Sequence, residues 1–256
     1  MKKIAIITSK GGTGKTTTAI NLAHGLSMNG KNVLLIDCDS QANISLAFNV
    51  YPTRTLCDLL LTGQVDIVKV RNNLYFIASG GRRLAEVELM IATRTRRESR
   101  LQEVLSGLKG CDYVICDCAP SINLININVI RMVDLALIPI SMDHFAPAGA
   151  RQTLDMMQEV RELTGHRVEL MGFLPTFFDT RTRISHQALA KIRHEFRGLV
   201  LHSVIRVNTQ LREAPGEYKT IFEYAPFSYG AEDYYRLTEE ILQREAAVAR
   251  IGEGVI

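Results

Sequence analysis

A glycine-rich loop at residues 9–17, with the sequence S-K-G-G-T-G-K-T-T, constrains the fold of this chain more than any other stretch. It joins a predicted buried strand over residues 4–8 to a predicted helix over residues 16–28. Its three glycines allow positive φ angles and carry no Cβ, so successive N–H groups can turn inward around an anion. The following helix adds unpaired N–H groups and the positive end of its dipole. This strand, loop and helix predict a phosphate-binding loop.

The side chains of the loop predict the chemistry around the anion. Ser9 stands where the literal G-x-x-x-x-G-K-[ST] pattern has its first glycine. Lys15 supplies a positive charge for the β- and γ-phosphate oxygens, and the Thr16 hydroxyl is placed to ligate Mg²⁺. Thr17 is expected to reach the α-phosphate. The predicted nucleotide-contacting residues of the loop are Gly11, Gly12, Thr13, Gly14, Lys15, Thr16 and Thr17.

Carboxylates follow two further apolar runs that are predicted to be buried strands. Asp37 and Asp39 lie at the end of the run over residues 32–37, and Asp117 ends the run over residues 112–117. Ligands of open α/β sheets bind at the carboxyl ends of the strands. A helix cap is the ordinary use of an aspartate in such a position. Beside a phosphate loop, however, Asp117 is the residue expected to hold Mg²⁺ through a water.

Composition indicates a soluble globular chain and limits the other function classes. Of its 256 residues, 46% are hydrophobic and 22% are charged, which predicts a single domain over residues 1–256. No apolar stretch approaches the ~20 residues of a membrane span, so we expect a cytoplasmic protein. The five cysteines show no C-x-x-C spacing, which favours reduced thiols over a metal site. A net charge of +3 does not by itself indicate a nucleic-acid binder.

Lys10 extends the loop to K-G-G-x-G-K-T-T, the deviant Walker A motif. On this motif the chain resembles the ParA/Soj branch of the MinD-like ATPases, which belong to the SIMIBI class of P-loop NTPases. Three nucleotide motifs in order and an E-A-P segment carry the resemblance from residue 1 to about residue 245. It implies a doubly wound α/β fold with a mostly parallel, twisted sheet and helices on both faces. It also implies that ATP and Mg²⁺ bind at the carboxyl edge of the strands.

The resemblance assigns roles to several of these residues. It implies that Lys10 crosses the interface of an ATP-dependent homodimer to touch the nucleotide of the partner subunit. Residues 37–43 resemble the family's D-x-D-P-Q-G-N segment, in which the second aspartate orients the attacking water. That role falls on Asp39, with Asp37 as a magnesium-side or structural residue. Ser40 and Ala42 replace the proline and the glycine of that segment.

Two later segments are implied to lie near the adenine and the DNA. Pro175, Thr176 and Asn208 fall in segments that the family uses near the adenine. The family's D-x-R-T segment holds an arginine used for nonspecific DNA binding, and its counterpart is Arg181. Further along, residues 205–215 match I-P-R-N-V-R-L-x-E-A-P but lack both of its arginines. The candidate DNA-binding residues are Arg181, Arg183, Lys191, Arg193, Arg206 and Arg212.

Charge alone leaves the basic segments open. A solvated surface is the ordinary interpretation of the cluster that includes Lys191 and Arg193. The arginine-rich stretch over residues 82–100 is equally compatible with a solvated helix face and with a surface for a polyanion.

The expected function is an ATPase that dimerises with ATP, binds double-stranded DNA nonspecifically on the nucleoid and distributes a plasmid, a chromosome origin or another large cargo. Hydrolysis is expected to be slow until a ParB-like partner stimulates it. The phosphate loop starts within ten residues of the first residue, which argues against an N-terminal helix-turn-helix domain. Three alternatives remain: a membrane-associated MinD-like regulator, a metal-delivery or reductase-type ATPase, and an ATP-dependent biosynthetic enzyme. The closing helix lacks the basic and bulky apolar face expected of the first.

Overall fold

A computed structural model describes the backbone of residues 1–253 and the side chains of residues 1–246. Seven strands form one sheet in the order β3-β4-β2-β5-β1-β6-β7. The strands are β1 (Lys2–Ile6), β2 (Val33–Cys38), β3 (Val68–Arg71), β4 (Leu74–Ile77), β5 (Tyr113–Cys118), β6 (Leu135–Ser141) and β7 (Glu169–Thr176). All neighbouring pairs are parallel except β3 with β4. The predicted α/β class with a mostly parallel sheet is confirmed.

Helices connect the parallel strands. They are α1 (Lys15–Met28), α2 (Asn43–Phe48), α3 (Leu56–Thr62), α4 (Arg83–Ala92), α5 (Arg100–Val104), α6 (Leu124–Met132), α7 (Ala146–Thr164), α8 (Arg183–Glu195), α9 (Gln210–Glu213), α10 (Ile221–Tyr224) and α11 (Tyr229–Glu253). Short 3₁₀ turns lie at Arg97–Ser99 and Ala214–Glu217. Within residues 1–253, none of the helices combines the length and the apolarity that crossing a membrane requires.

The continuous apolar runs of the central strands are explained by burial on both faces of the sheet. All six residues of β2 are buried. Leu35 faces a core that also contains Leu26 of α1 and Leu237 of α11. Leu34, its neighbour, points to the opposite face, whose core includes residues of α3, α4 and α6. Alternate residues of one strand therefore meet different helix layers, so the strand needs apolar side chains throughout.

The edge strand β3 was not predicted from the sequence. Its four residues alternate two valines with Lys69 and Arg71, and Asn73 makes the turn to β4 with a positive φ of 56°. Asparagine tolerates this left-handed conformation better than most residues. An antiparallel hairpin thus adds one short, charged strand to a sheet edge, where charged side chains discourage pairing with other chains.

The arginine-rich stretch has a structural use. Arg94 and Arg100 donate to the carbonyl oxygens of Leu61 and Leu60 in the last turn of α3, at 3.3 and 2.7 Å. Arg97 donates to the carbonyl oxygen of Ala92, the last residue of α4, at 2.9 Å. Cationic side chains satisfy the free carbonyls and the negative dipole end of a helix C-terminus. Three arginines of this segment therefore hold helix ends together.

Candidate active site

The glycine-rich loop turns at the carboxyl end of β1 and has the backbone geometry that suits an anion. Gly12 and Gly14 have positive φ angles of 71° and 88°. Gly14 is also the N-cap of α1, so the loop passes directly into the N–H groups of the first helical turn. A cavity of about 580 Å³ opens above it. Its lining includes Gly11, Gly12, Gly14, Lys15, Thr16, Thr17, Asp39, Ser40 and Gln41.

Lys15 is the cation of this cavity. Its ammonium donates to the carbonyl oxygen of Lys10 at 3.4 Å, and only 7% of the residue is exposed. Burial lowers the pKa of Lys15, while the negative charges of Asp117 and Asp39 act in the opposite direction. The Lys15 ammonium forms no ion pair among the described residues and its hydrogen bond to Lys10 is long, so it keeps N–H donors for an anionic ligand.

Asp117 offers free carboxylate oxygens beside the loop. It lies on β5, the neighbour of β1, and is 1% exposed. Neither oxygen has a hydrogen-bond partner among the described residues. Burial raises the pKa of Asp117 to about 7, partly offset by the Thr16 hydroxyl and the Lys15 ammonium. A buried carboxylate with unused oxygens next to a threonine hydroxyl is a donor set of the kind that Mg²⁺ prefers, so these residues fit the ion.

Asp37 is directly opposite Asp117 in the register of β2 and β5, but its oxygens are in use. Oδ1 accepts from the N–H of Asp39 at 3.0 Å and Oδ2 accepts from the N–H of Ile44 at 3.3 Å. Burial, and then the charge of Asp117, raises the pKa of Asp37 well above its usual range. Of the two alternatives for Asp37, these contacts favour the structural one, which is to hold the loop between β2 and α2.

Asp39 lines the cavity and is held there by that loop. Its Oδ1 accepts from the N–H of Gln41 at 2.9 Å. Ala42 begins α2 as an N-cap with φ of 53°, in the left-handed region, where glycine is the unstrained residue. The alanine substitution noted in the sequence thus does not abolish the turn. It keeps a glycine-like conformation in a residue with a Cβ.

A second, smaller cavity lies beyond Gly14 and would suit the base of a nucleotide. Thr176 and Asn208 line it, together with the apolar side chains of Ile205 and Leu211. The Oδ1 atom of Asn208 is buried without a hydrogen-bond partner among the described residues. Pro175 is not in the lining, since its carbonyl accepts from the N–H of Ile205 at 2.8 Å and joins the two segments that form the wall.

The family model AAA_31, described as an AAA domain, matches residues 1–170. The chain is 35% identical over 248 residues to the sporulation initiation inhibitor protein Soj of Bacillus subtilis, a match that covers 94% of this chain and 98% of the relative. It is 32% identical over 255 residues to the chromosome partitioning protein ParA of Caulobacter vibrioides, covering 96% and 95%. This chain belongs to the ParA/Soj family of partition ATPases.

A solved structure with a similar fold holds a nucleotide. The cobyrinic acid a,c-diamide synthase of Mycobacterium smegmatis, with a bound ATP analogue and magnesium, has a TM-score of 0.82 and 26% identity. The alignment covers 96% of each chain. The ParA/Soj-type chain is accordingly a P-loop ATPase of the positioning class.

Lys10 of this ParA/Soj-type chain lies outside the cavity that Lys15 lines. Its ammonium pairs with Asp143 at 2.7 Å, and their side chains are 41% and 38% exposed. Thr153 of α7 supports the start of the loop at Ser9. Its hydroxyl accepts from the N–H of Ser9 at 3.2 Å and donates to the carbonyl of Gly149 at 2.9 Å.

Sequence reasoning did not identify Asp143 or Thr153. Thr153 lies between Ala150 and Met156 on the apolar stripe of α7, and all three are buried. A polar residue on such a stripe is the signal that could have pointed to it.

The structure separates the candidate DNA-binding residues into two groups. Arg183, Lys191 and Arg193 are exposed on α8, and Arg181 precedes that helix in an ion pair with Asp179 at 2.9 Å. Arg206 and Arg212 instead line the smaller cavity.

The charge of Arg206 is already balanced. Its guanidinium pairs with Asp233 and Glu232 and lies over the ring of Tyr229, with 4.3 Å between the guanidinium carbon and the ring centroid. The carboxylates, Asp233 first, raise the pKa of Arg206 above its usual value against the effect of burial. This environment does not favour a phosphate contact by Arg206.

Proposed function

We propose that this chain is an ATP-gated dimer that binds double-stranded DNA nonspecifically and distributes a large cargo over the nucleoid. One observation carries the proposal: the Lys10 side chain, next to the phosphate loop, is 41% exposed, and its ammonium pairs with the half-exposed Asp143 and lies 5.9 Å from the centroid of the Phe145 ring. An exposed ion pair is weak, about 0–1 kcal/mol. A phosphate group of the nucleotide bound to a second protomer can therefore replace Asp143 as the partner of Lys10 at little cost. The whole chain, residues 1–256, acts as one ATPase domain in this proposal.

The hydrolysis site is supplied mainly by one protomer. Thr16 and Asp117 hold Mg²⁺, which neutralises charge on the β- and γ-phosphates when it is bound. Lys15 stabilises the same oxygens, and Asp39 orients the attacking water. Lys10 adds its charge in trans, so catalysis depends on dimerisation. A partner protein of the ParB type, the chromosome-partition class suggested by the relatives, completes the site and accelerates turnover.

DNA contact is assigned to the exposed side of α8 and the turn before it. Arg183, Gln187, Lys191 and His194 recur at helical spacing on that side, and all are exposed. Lys and Arg side chains in a stripe neutralise successive phosphates without reading bases. Arg181 and Arg193 flank the stripe in this proposal.

The dimer is tested by light scattering after size exclusion, with ATP, ADP or no nucleotide. Mg²⁺ is present throughout, and Asp39→Ala is included to slow hydrolysis. We expect twice the monomer mass with ATP only. Lys15→Ala, which removes the phosphate cation, is the control expected to stay monomeric. A monomer under every condition would overturn the gated dimer and leave a biosynthetic ATPase of the same fold as the alternative.

The DNA face is tested by the double variant Arg183→Glu/Lys191→Glu on a random-sequence duplex. Each lost phosphate contact lowers the slope of log affinity against log salt by about 0.9. We therefore expect at least a tenfold weaker complex and a flatter salt dependence. Arg161→Glu on α7, an exposed arginine outside the stripe, is the matched control and should bind as the unsubstituted chain does. If the double variant binds DNA as tightly as Arg161→Glu does, the DNA site lies elsewhere. Binding to anionic liposomes in place of DNA would favour the membrane-associated alternative.

A further inference from the structure

Phe177 has a strained backbone at the point where the two cavities meet. Its φ is 50°, in the left-handed region that bulky side chains rarely adopt. The residue directly follows β7, which ends at Thr176. Residues held in such conformations persist when their surroundings determine them, and they cluster at ligand-binding sites.

The neighbours of Phe177 on both sides impose this conformation. The Thr176 hydroxyl donates to the carbonyl of Thr13 in the phosphate loop at 2.9 Å, and Thr176 is 2% exposed. Phe178 is also buried, and its N–H donates to the carbonyl of Ile205 at 3.1 Å. Both flanking residues are fixed, so the chain can pass from one to the other only through the strained turn at Phe177.

The turn brings the Phe177 ring against the phosphate loop. A Cβ added to Gly14 would lie 3.7 and 3.9 Å from the Cε2 and Cζ atoms of the ring, which is van der Waals contact. Phe177 is one of the residues that line the phosphate cavity and also one of those that line the smaller cavity with Thr176 and Asn208. It is therefore a shared wall between the place for phosphates and the place for a base.

We infer that Phe177 recognises the nucleoside of the bound nucleotide, by presenting its ring to the base or ribose that passes from one cavity to the other. The inference rests on the proposed binding of ATP and adds which residue selects a nucleoside over a bare polyphosphate. Stacking of a base on an aromatic ring contributes about 1–3 kcal/mol, equivalent to about 5- to 150-fold in affinity. An aliphatic side chain in its place would keep the apolar contact but lose the aromatic face.

A purely structural role would have a different signature. If the ring served only to support Gly14, its removal would weaken every ligand of the phosphate loop alike. If it contacts the nucleoside, its removal weakens ATP and spares a ligand that has phosphates only. Inorganic tripolyphosphate provides that ligand, since it carries the triphosphate without base or sugar.

The test measures the affinity of the full chain for Mg²⁺-ATP and for Mg²⁺-tripolyphosphate by titration calorimetry. The variants are Phe177→Ala, Phe177→Leu and Phe177→Tyr, all of which keep a Cβ and hence the same backbone demand at φ of 50°. Phe227→Ala is the matched control, because Phe227 is fully exposed and lines neither cavity. Lys15→Ala is expected to weaken both ligands.

We expect Phe177→Ala to weaken ATP by about 5- to 150-fold while tripolyphosphate changes by less than about twofold. Phe177→Tyr should bind ATP like the unsubstituted chain, and Phe177→Leu should bind it more weakly than Phe177→Tyr. The inference is overturned if both ligands weaken equally, if neither changes, or if Leu and Tyr bind ATP alike. The Leu and Tyr variants decide the matter even if the Ala variant does not fold. Failure of the unsubstituted chain to bind ATP at all would instead contradict the proposed function.

Discussion

Two aspartates at the end of β2 have different surroundings although they are only two residues apart. Asp37 is fully buried and accepts two backbone N–H bonds, whereas Asp39 lines the phosphate cavity. Their different surroundings separate a residue that shapes the loop from one that faces the cavity. Substitution should therefore have different consequences at the two positions.

Asp39→Ala should give an ATP dimer that persists and still binds DNA, because water is no longer oriented while phosphate binding is intact. Turnover is expected to fall by at least tenfold, measured as phosphate release per protomer with DNA present. Asp37→Ala is the contrast: it leaves two buried N–H groups without their acceptor and should lower the free energy of unfolding by about 1–3 kcal/mol. Wild-type turnover in Asp39→Ala would exclude the water-orienting role.

His24 makes stability depend on pH. It lies on α1, where its Nδ1 is 2.6 Å from the Thr220 hydroxyl oxygen. Burial lowers the pKa of His24 and Arg71 acts in the same direction, while Glu223 opposes them. The unfolded chain then takes up a proton more readily than the folded one, so stability is present above the ordinary pKa of about 6.5 and is lost as pH falls below it.

Urea unfolding at pH 7 and pH 5 measures this effect. His24→Asn, which titrates in neither state, should show a smaller loss of unfolding free energy between the two pH values. The difference from the unsubstituted chain has a limit of about 1.4 kcal/mol per pH unit. Identical losses in both proteins would mean that His24 takes up its proton equally well in the folded state.

At the scale of elements, the packing of α1 on α11 depends on one small residue. A Cβ on Gly25 of α1 would collide with the Thr238 hydroxyl of α11 and lie 3.3 Å from its Cβ. The Thr238 hydroxyl cannot move away freely, because it donates to the carbonyl of Tyr234 at 2.8 Å. The helix that carries the phosphate loop is thus seated against the closing helix by the absence of a side chain.

Gly25→Ala should lower the free energy of unfolding by about 1–3 kcal/mol, since an added methyl group in a packed core forces its neighbours apart. Gly149→Ala is the matched control in another helix. Its added Cβ meets no atom within 4 Å, so helix propensity alone should raise stability by about 0.5–1 kcal/mol. Thermal unfolding of both variants checks this pair, and an unchanged midpoint for Gly25→Ala would contradict close packing of the two helices.

At the scale of the whole molecule, strand order assembles the site. β2, β5 and β1 are neighbours, so the loop after β2, Asp117 at the end of β5 and the phosphate loop after β1 meet at one edge of the sheet. Lys10 lies at the outer side of this assembly. Its role is therefore expected to appear in association and not in folding.

Lys10→Ala should leave the unfolding free energy within about 1 kcal/mol, because its ion pair is half exposed, yet should abolish the ATP-dependent increase in mass. Lys2→Ala is the matched control. Lys2 is another lysine in a partly exposed ion pair, with Glu245, and β1 separates it from the loop. Light scattering with Mg²⁺-ATP distinguishes the variants, and a dimer formed equally well by Lys10→Ala would remove the proposed role in trans.

Local chemistry was enough to predict the phosphate loop and the buried strands around it, and the family resemblance implied the mostly parallel sheet. Few structures other than a phosphate loop fit a buried strand followed by glycines at positions 11, 12 and 14 and then by Lys15 and Thr16. The reason is that neighbouring residues set the backbone conformation and the charge of this stretch. Continuous apolar runs likewise report burial on both faces before any partner is known. The family resemblance added Lys10 and Asp39 to this set.

Only the tertiary structure decided how distant residues share the site. Residues more than 130 positions apart in sequence meet at this site. Lys10 pairs with Asp143, Thr153 accepts a hydrogen bond from Ser9, and Phe177 lies between two cavities beside the phosphate loop. Arg206 shows the converse, because two carboxylates on α11 balance a charge that the sequence presents as free. Such contacts depend on which elements the fold brings together. A local sequence pattern does not contain that information, because it covers only residues that are close in the chain.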